Sequence, residues 1–160
     1  MRTYADSSFL VKLLAREFGS EAAVAEYRRL RLPRLFYVPL HALEVENAIR
    51  QQVFQRRHSL ARVARAALAS EGTAALARLQ RMLDRQLLIE VSADWDETVR
   101  RARSLSAKYT ESLGARSLDL LHVAFALELS SELFLTADNG QAQVAKAEGI
   151  KVLSLPDEGA

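Results

Sequence analysis

RSLDLLHVAFALELSSELFLTADNGQAQVAKAEGIKVL, residues 116–153, carries the alternation that decides the fold. From Leu118 to Leu127 only Asp119 and His122 are polar, so the stretch 117–130 reads as a helix buried almost all round. The apolar run Leu133–Thr136 then has strand character. A short helix over 139–148 follows, stopped by Gly149, and Lys151–Leu155 is again β-like. Helix and strand therefore alternate within this one quarter of the chain.

The same alternation continues towards the amino end. Thr3–Ala5, Leu35–Val38 and Leu87–Val91 are short β-like runs. Between them, apolar residues at three- and four-residue spacing predict helices over 7–16 and 20–31, separated at Gly19, and over 40–57 after Pro39. Residues 60–86 read as one or two helices interrupted near Gly72, and 94–110 as a helix with a polar end. Strands alternating with helices predict an α/β fold with a mainly parallel sheet. No internal repeat, linker or low-complexity tract is visible, so residues 1–155 read as a single domain, and the last five, PDEGA at 156–160, as a frayed tail.

Composition narrows the function classes. The chain has 160 residues, enough for one real core, with 49% hydrophobic and 26% charged residues, the profile of a globular protein. No apolar run approaches the roughly 20 residues that span a membrane, and no charged-then-apolar leader precedes the first structured segment. A cytoplasmic protein with no membrane partner is expected. The absence of Cys removes disulfides, thiolate zinc sites and cysteine nucleophiles. A metal site would be built from oxygen ligands, with at most help from three histidines.

The net charge of +2 hides an asymmetry. Residues 28–85 hold 12 arginines, no lysine and four acids (Glu44, Glu46, Glu71 and Asp84), a balance of +8, which leaves −6 for the rest. Arginine suits bidentate contact with phosphate, so nucleic acid is one reading. A solvated helix face and a surface for an acidic protein partner are equally open at this point.

In parallel α/β sheets, ligands bind beyond the carboxyl ends of the strands, where helices begin. Asp6, in YADSSFLVKLL at 4–14, follows the first strand; Asp138, in FLTADNGQA at 134–142, follows the fourth in the same way. Either aspartate alone is explained as a helix N-cap. Two other carboxylates change the weighing. In PLHALEVENAIRQQ, residues 39–52, Glu46 has Arg50 four residues on and needs no further role. Glu44 has Ala48 there instead, with Asn47 beside it as a hydrogen-bonding neighbour. Asp119 lies on the apolar helix, where an ionised carboxylate is costly unless it is paired or bound to a cation; proximity to a helix start at Ser117 is its bland explanation. His122, one turn on, reads as a hydrogen-bonded core histidine.

Asp6, Glu44, Asp119 and Asp138 thus share a lack of obvious local basic partners. Brought together, four carboxylates would repel and raise one another's pKa unless a divalent cation relieved them. Hard oxygen donors suit Mg²⁺ or Mn²⁺. Such a site turns water into a nucleophile and stabilises charge on a phosphodiester, with no protein nucleophile required.

The blocks YADSSFLVKLL, HALEVENAIRQ and residues 116–153, in this order and spacing, resemble the PIN-domain ribonucleases, and among them the VapC toxins of VapBC-type toxin–antitoxin systems. The resemblance implies a three-layer α/β/α sandwich with a five-stranded, mainly parallel sheet in the order 3-2-1-4-5. It implies Asp6, Glu44, Asp119 and Asp138 as the catalytic and metal-binding acids. Ser7 falls at the small hydroxyl residue after the first aspartate, Thr136 at the threonine two residues before the last, and Asn139 is a polar neighbour. The implied activity is Mg²⁺- or Mn²⁺-dependent hydrolysis of RNA by the toxin of a type II pair, with an antitoxin partner and a homodimer. Residues 55–86 depart from a compact member by their length and arginine content; guiding RNA, docking the antitoxin and forming a dimer surface all remain open for them. Glu46 is an additional acid inside the second block, open as a mere neighbour of Glu44 or as an additional ligand. The competing reading is a non-catalytic RNA- or protein-binding module on the same fold, while an aspartyl phosphoryl-transfer site at Asp6 is disfavoured because no second aspartate stands two residues later.

Overall fold

The computed structural model describes residues 1–57 and 62–155. Five strands, β1 (Thr3–Ala5), β2 (Leu35–Tyr37), β3 (Leu88–Glu90), β4 (Leu133–Thr136) and β5 (Lys151–Ser154), form one sheet in the order β3-β2-β1-β4-β5. Every pairing is parallel. Thr3 stands opposite both Leu35 and Leu133, Leu35 opposite Leu88, and Leu133 opposite Lys151. The strand order implied by the resemblance is the one observed.

The strands are short because each gives way to a helix. Val38, expected to end β2, has left the ladder: its N–H bonds to His41 Nδ1 at 3.0 Å and its carbonyl accepts from His41 N at 2.9 Å. That reciprocal pair starts α3 (Pro39–Arg57), with proline at the first helical position. The other helices are α1 (Ser7–Leu14), α2 (Ser20–Arg29), α4 (Arg62–Asp84), α5 (Trp95–Leu113), α6 (Ser117–Glu128) and α7 (Asn139–Ala147). The five residues expected as a tail, and 58–61 between α3 and α4, lie outside the described residues.

Two expectations shift. The segment expected to break near Gly72 is one continuous helix, α4. Gly72 is there for contact: a Cβ on it would lie 2.7 Å from Val53 Cγ2 of α3, so the bare backbone is what lets the two helices close. In the other case α5 runs three residues past the expected end, to Leu113, because Gly114 stops it in the left-handed region with φ 65°.

Alternation along the strands sorts the core into two layers. Ala5, Leu35, Tyr37, Leu133 and Leu135 face α1 to α4, where Phe9, Leu10, Leu14, Val45, Ile49 and Leu79 meet them. Tyr4 and Phe134 face the opposite side, against Leu105, Val123, Phe125 and Val144 of α5, α6 and α7. Being central, β1 is buried on both faces, so all three of its residues are fully enclosed. The result is an α/β/α sandwich that delivers the carboxyl ends of β1 and β4 side by side.

Candidate metal centre

Asp6 is the first residue past β1. Its N–H still joins the ladder, donating to Leu135 O at 2.9 Å, while its side chain caps α1 by accepting from Phe9 N at 2.9 Å. Ser8 Oγ donates at 2.8 Å and Thr136 Oγ1 at 2.7 Å, and no part of the residue reaches solvent. Burial pushes the Asp6 carboxyl above its usual range; the charge of His122 and the bonds from Phe9, Thr136 and Ser8 oppose that push without cancelling it. Thr136 also accepts from Asp138 N at 2.8 Å, and Ser8 Oγ from Ala137 N at 2.9 Å. Two hydroxyls therefore tie the end of β4 to the first aspartate.

Asp138 caps α7, accepting from Gln141 N at 2.8 Å. Asp119 occupies the third position of α6 and accepts from the backbone N–H of Arg116 at 3.2 Å. Arg116, not Ser117, is the cap residue of that helix. Asp119 does have a basic partner: Arg116 Nε lies 2.9 Å and Nη2 3.4 Å from its two oxygens, and the same Nη2 lies 3.3 Å from Asp138 Oδ2. The guanidinium thus bridges two of the four acids while its side chain stays 75% exposed. Gln141 Nε2 adds a bond to Asp119 Oδ1 at 3.1 Å.

Glu44 and Glu46, adjacent in the second block, part company. Glu46 pairs with Arg50 at 2.8 Å on the surface. Glu44 accepts from Ser7 Oγ at 2.7 Å and bonds His122 Nε2 at 2.5 Å. Burial raises the Glu44 carboxyl, but the bond to His122, its charge, and the Ser7 hydroxyl outweigh burial and hold it below its usual value. On its other side the His122 ring meets Tyr4 Oη at 2.8 Å. Burial, with the Asp6 and Glu44 charges, drives the Tyr4 phenol far upward, so it stays protonated against the ring.

A groove of about 800 Å³ opens over this rim, lined by Ser7, Glu44, Asn47 and Asp138, with Lys12 and Gln52 farther along. Asp6 and Asp119 are not among the residues that line it. Asn139, the residue after Asp138, begins α7. A profile of the PIN domain matches residues 3–147. The chain belongs to the PIN-domain family. No curated protein matches the chain closely. PIN domains in general are nucleases that use divalent metal and bind RNA.

The donors suit such a metal in kind. All four acids are hard oxygen ligands. A cation already stands between Asp119 and Asp138, in the form of the Arg116 guanidinium. Gln141 Oε1, beside Asp119, is a buried acceptor with no hydrogen-bond partner among the described residues. Yet among those residues no three acidic or histidine side chains converge closely enough to hold an ion as they stand. A metal held by these acids at this PIN-domain rim would require side-chain adjustment, Arg116 included.

Reading the sequence alone misses Arg116, Ser8, Tyr4 and Gln141 and leaves His122 outside the site. Two of them carried a signal. Arg116 stands three residues before Asp119, the spacing of a helical ion pair, and Gln141 stands three after Asp138, where a cap residue's side chain reaches. The bond between Tyr4 and His122 spans 118 positions and has no local signature.

Proposed function

We propose that this PIN-domain protein is a Mg²⁺- or Mn²⁺-dependent endoribonuclease. What supports the reading is the gathering of Asp6, Asp138, Asp119 and Glu44 at the carboxyl ends of β1 and β4, with a guanidinium held between two of them. In this reading Asp6, Glu44, Asp119 and Asp138 hold the metal. When bound, the metal supplies Lewis-acid chemistry for phosphodiester hydrolysis at neutral pH.

The chain's own residues set that site up. Thr136 and Ser8 fix both Asp6 oxygens, so the most buried acid cannot turn away. His122 and Ser7 position Glu44, and Tyr4 holds the imidazole in place from its other side. The open groove admits a flexible strand, and Asn47 on its wall offers a polar contact to it. The resemblance of the three sequence blocks supports a finer reading: the toxin of a type II pair, acting as a homodimer in the cytoplasm and checked by an antitoxin.

The test is digestion of total cellular RNA by purified protein with Mn²⁺ or Mg²⁺, beside EDTA and an Asp119→Asn variant, with new ends mapped. Discrete metal-dependent cuts that the variant lacks are expected. Equal silence from both proteins, with RNA still bound in EDTA, would replace the nuclease by a non-catalytic binding module.

A further inference from the structure

Several surface cations of this chain have acids beside them. Arg29 pairs with Glu26, Arg50 with Glu46, Arg100 with Glu97, Arg101 with Glu128 and Lys108 with Glu148. At one place arginines gather round a cavity instead. Between the end of α1 and the facing sides of α3 and α4 lies a cavity of about 230 Å³ whose rim carries Arg16, Arg56 and Arg78. Arg16 and Arg78 have no ion-pair partner among the described residues, and the single acid on the rim, Glu71, stands 3.6 Å from Arg56. Arg78 is anchored by Nε donating to Leu14 O at 2.5 Å, which leaves its terminal nitrogens for other acceptors.

Like charges held together without a counter-charge weaken a fold. Burial and the charges of Arg16 and Arg81 accordingly depress the Arg78 pKa. An anion would relieve that repulsion. The position of the cavity says which anion. Gln52 lines both this cavity and the acidic groove, so the two are neighbours. Arg16 and Arg78 also face a second cavity with Arg28 and Lys12, and Lys12 in turn lines the groove. Glu17 and Glu21 lie on the same path, and Lys12 is paired with Glu17 at 3.0 Å, so among the described residues the unpaired positive charge beside the groove is concentrated at Arg16, Arg78 and Arg28.

We propose that Arg16 and Arg78 form a phosphodiester-binding site for single-stranded RNA, holding backbone phosphates of the strand whose scissile bond lies in the acidic groove. The site rests on the nuclease reading for its substrate, but its occupancy is measured without any cleavage. Planar guanidinium forks take two phosphate oxygens at once, which a repeating backbone offers at any base sequence. The site thus sets affinity and register while leaving sequence choice to the groove.

Fluorescence anisotropy of a 5′-labelled single-stranded RNA, in EDTA and across a salt series, tests this. Arg16→Ala and Arg78→Gln are compared with wild type and with Arg103→Ala, an exposed arginine on α5. The double variant is expected to bind at least tenfold more weakly and to lower the slope of log K against log salt by roughly 1.4, about 0.7 for each lost phosphate contact. Arg103→Ala is expected to match wild type. Arg16→Ala alone, which removes no hydrogen bond or ion pair among the described residues, keeps the test valid if Arg78→Gln unfolds; a measurable loss is expected there too. Unchanged affinity and slope in a folded variant overturns the proposal. A second arm adds inorganic phosphate: stabilisation by phosphate with unchanged RNA affinity identifies a free-anion site and overturns the RNA assignment. Variants that bind RNA weakly in a protein that cuts none leave this site standing and remove only the nuclease.

Discussion

Arg116 is the residue on which the metal reading turns. Its guanidinium contacts Asp119 and Asp138, two of the acids proposed to hold the metal, at 2.9–3.4 Å. On the proposed reading, the guanidinium and a divalent cation would compete for these two acids. Arg116→Gln removes the positive charge and keeps a polar cap residue, so Mn²⁺ is expected to bind the variant about tenfold more tightly, a gain of about 1.4 kcal/mol. Titration of free Mn²⁺ by its electron paramagnetic resonance signal measures this directly, and equal or weaker binding would show that Arg116 helps to build the site. Asp119→Asn in the same assay is expected to lose affinity at least tenfold. The sequence made the acids visible, because Asp6 and Asp138 end apolar strands and Asp119 interrupts an apolar helix. It hid Arg116, whose spacing suits a surface ion pair as well as a site, and it hid the Tyr4–His122–Glu44 chain, which exists only after β1, α3 and α6 have packed.

At the scale of elements, the α3–α4 pair depends on a side chain that is missing. Gly72 normally costs about 1 kcal/mol in a helix relative to alanine. A Cβ at Gly72 would meet Val53 Cγ2 at 2.7 Å, and valine in a helix has little rotamer freedom with which to yield. Gly72→Ala is therefore expected to destabilise by about 1–2 kcal/mol despite its better propensity, and Val53→Ala in the same chain to recover most of that loss. Urea midpoints of the two single variants and the double decide it; a more stable Gly72→Ala would refute the close approach. Glycine near the middle of an apolar pattern reads as a break in sequence, which is why one helix and two both stayed open for this segment. The start of α3 carries a pH signature. His41 accepts from Val38 N and donates to Ala5 O at 2.8 Å, a pattern only the neutral ring makes. Burial first, then the charge of His122, holds its pKa well below the usual value, against the opposing pull of Ala5 O. The unfolded chain takes up a proton near pH 6.5 while the folded chain does not, so stability falls as pH drops below that point, by up to about 1.4 kcal/mol per unit. His41→Gln keeps an acceptor for Val38 N and is expected to show a shallower decline between pH 6.5 and 5 in denaturant midpoints.

The architecture of the whole molecule was the most legible layer, since strand and helix alternate along nearly the entire chain and a parallel sheet follows from that order. The sandwich has a consequence for stability. It places β1 at the centre, so the residue that ends β1 inherits full burial: Asp6 is a carboxylate enclosed by the fold. Its raised pKa means that the unfolded chain ionises first as pH rises past about 3.8, and the folded state loses ground until its own carboxyl ionises. Above that window the deficit is complete, and only a cation or a neutral side chain removes it. In EDTA at pH 7.5, Asp6→Asn is expected to melt above wild type, because the amide keeps an oxygen for Phe9 N and carries no charge. Mn²⁺ at a hundred times its dissociation constant is expected to add about 2.7 kcal/mol to wild type, or roughly 5–10 °C, and little to Asp6→Asn. The order of melting temperatures should thus reverse when metal replaces EDTA. If the order stays the same in both, the buried carboxylate is held by the fold alone and the cation belongs elsewhere.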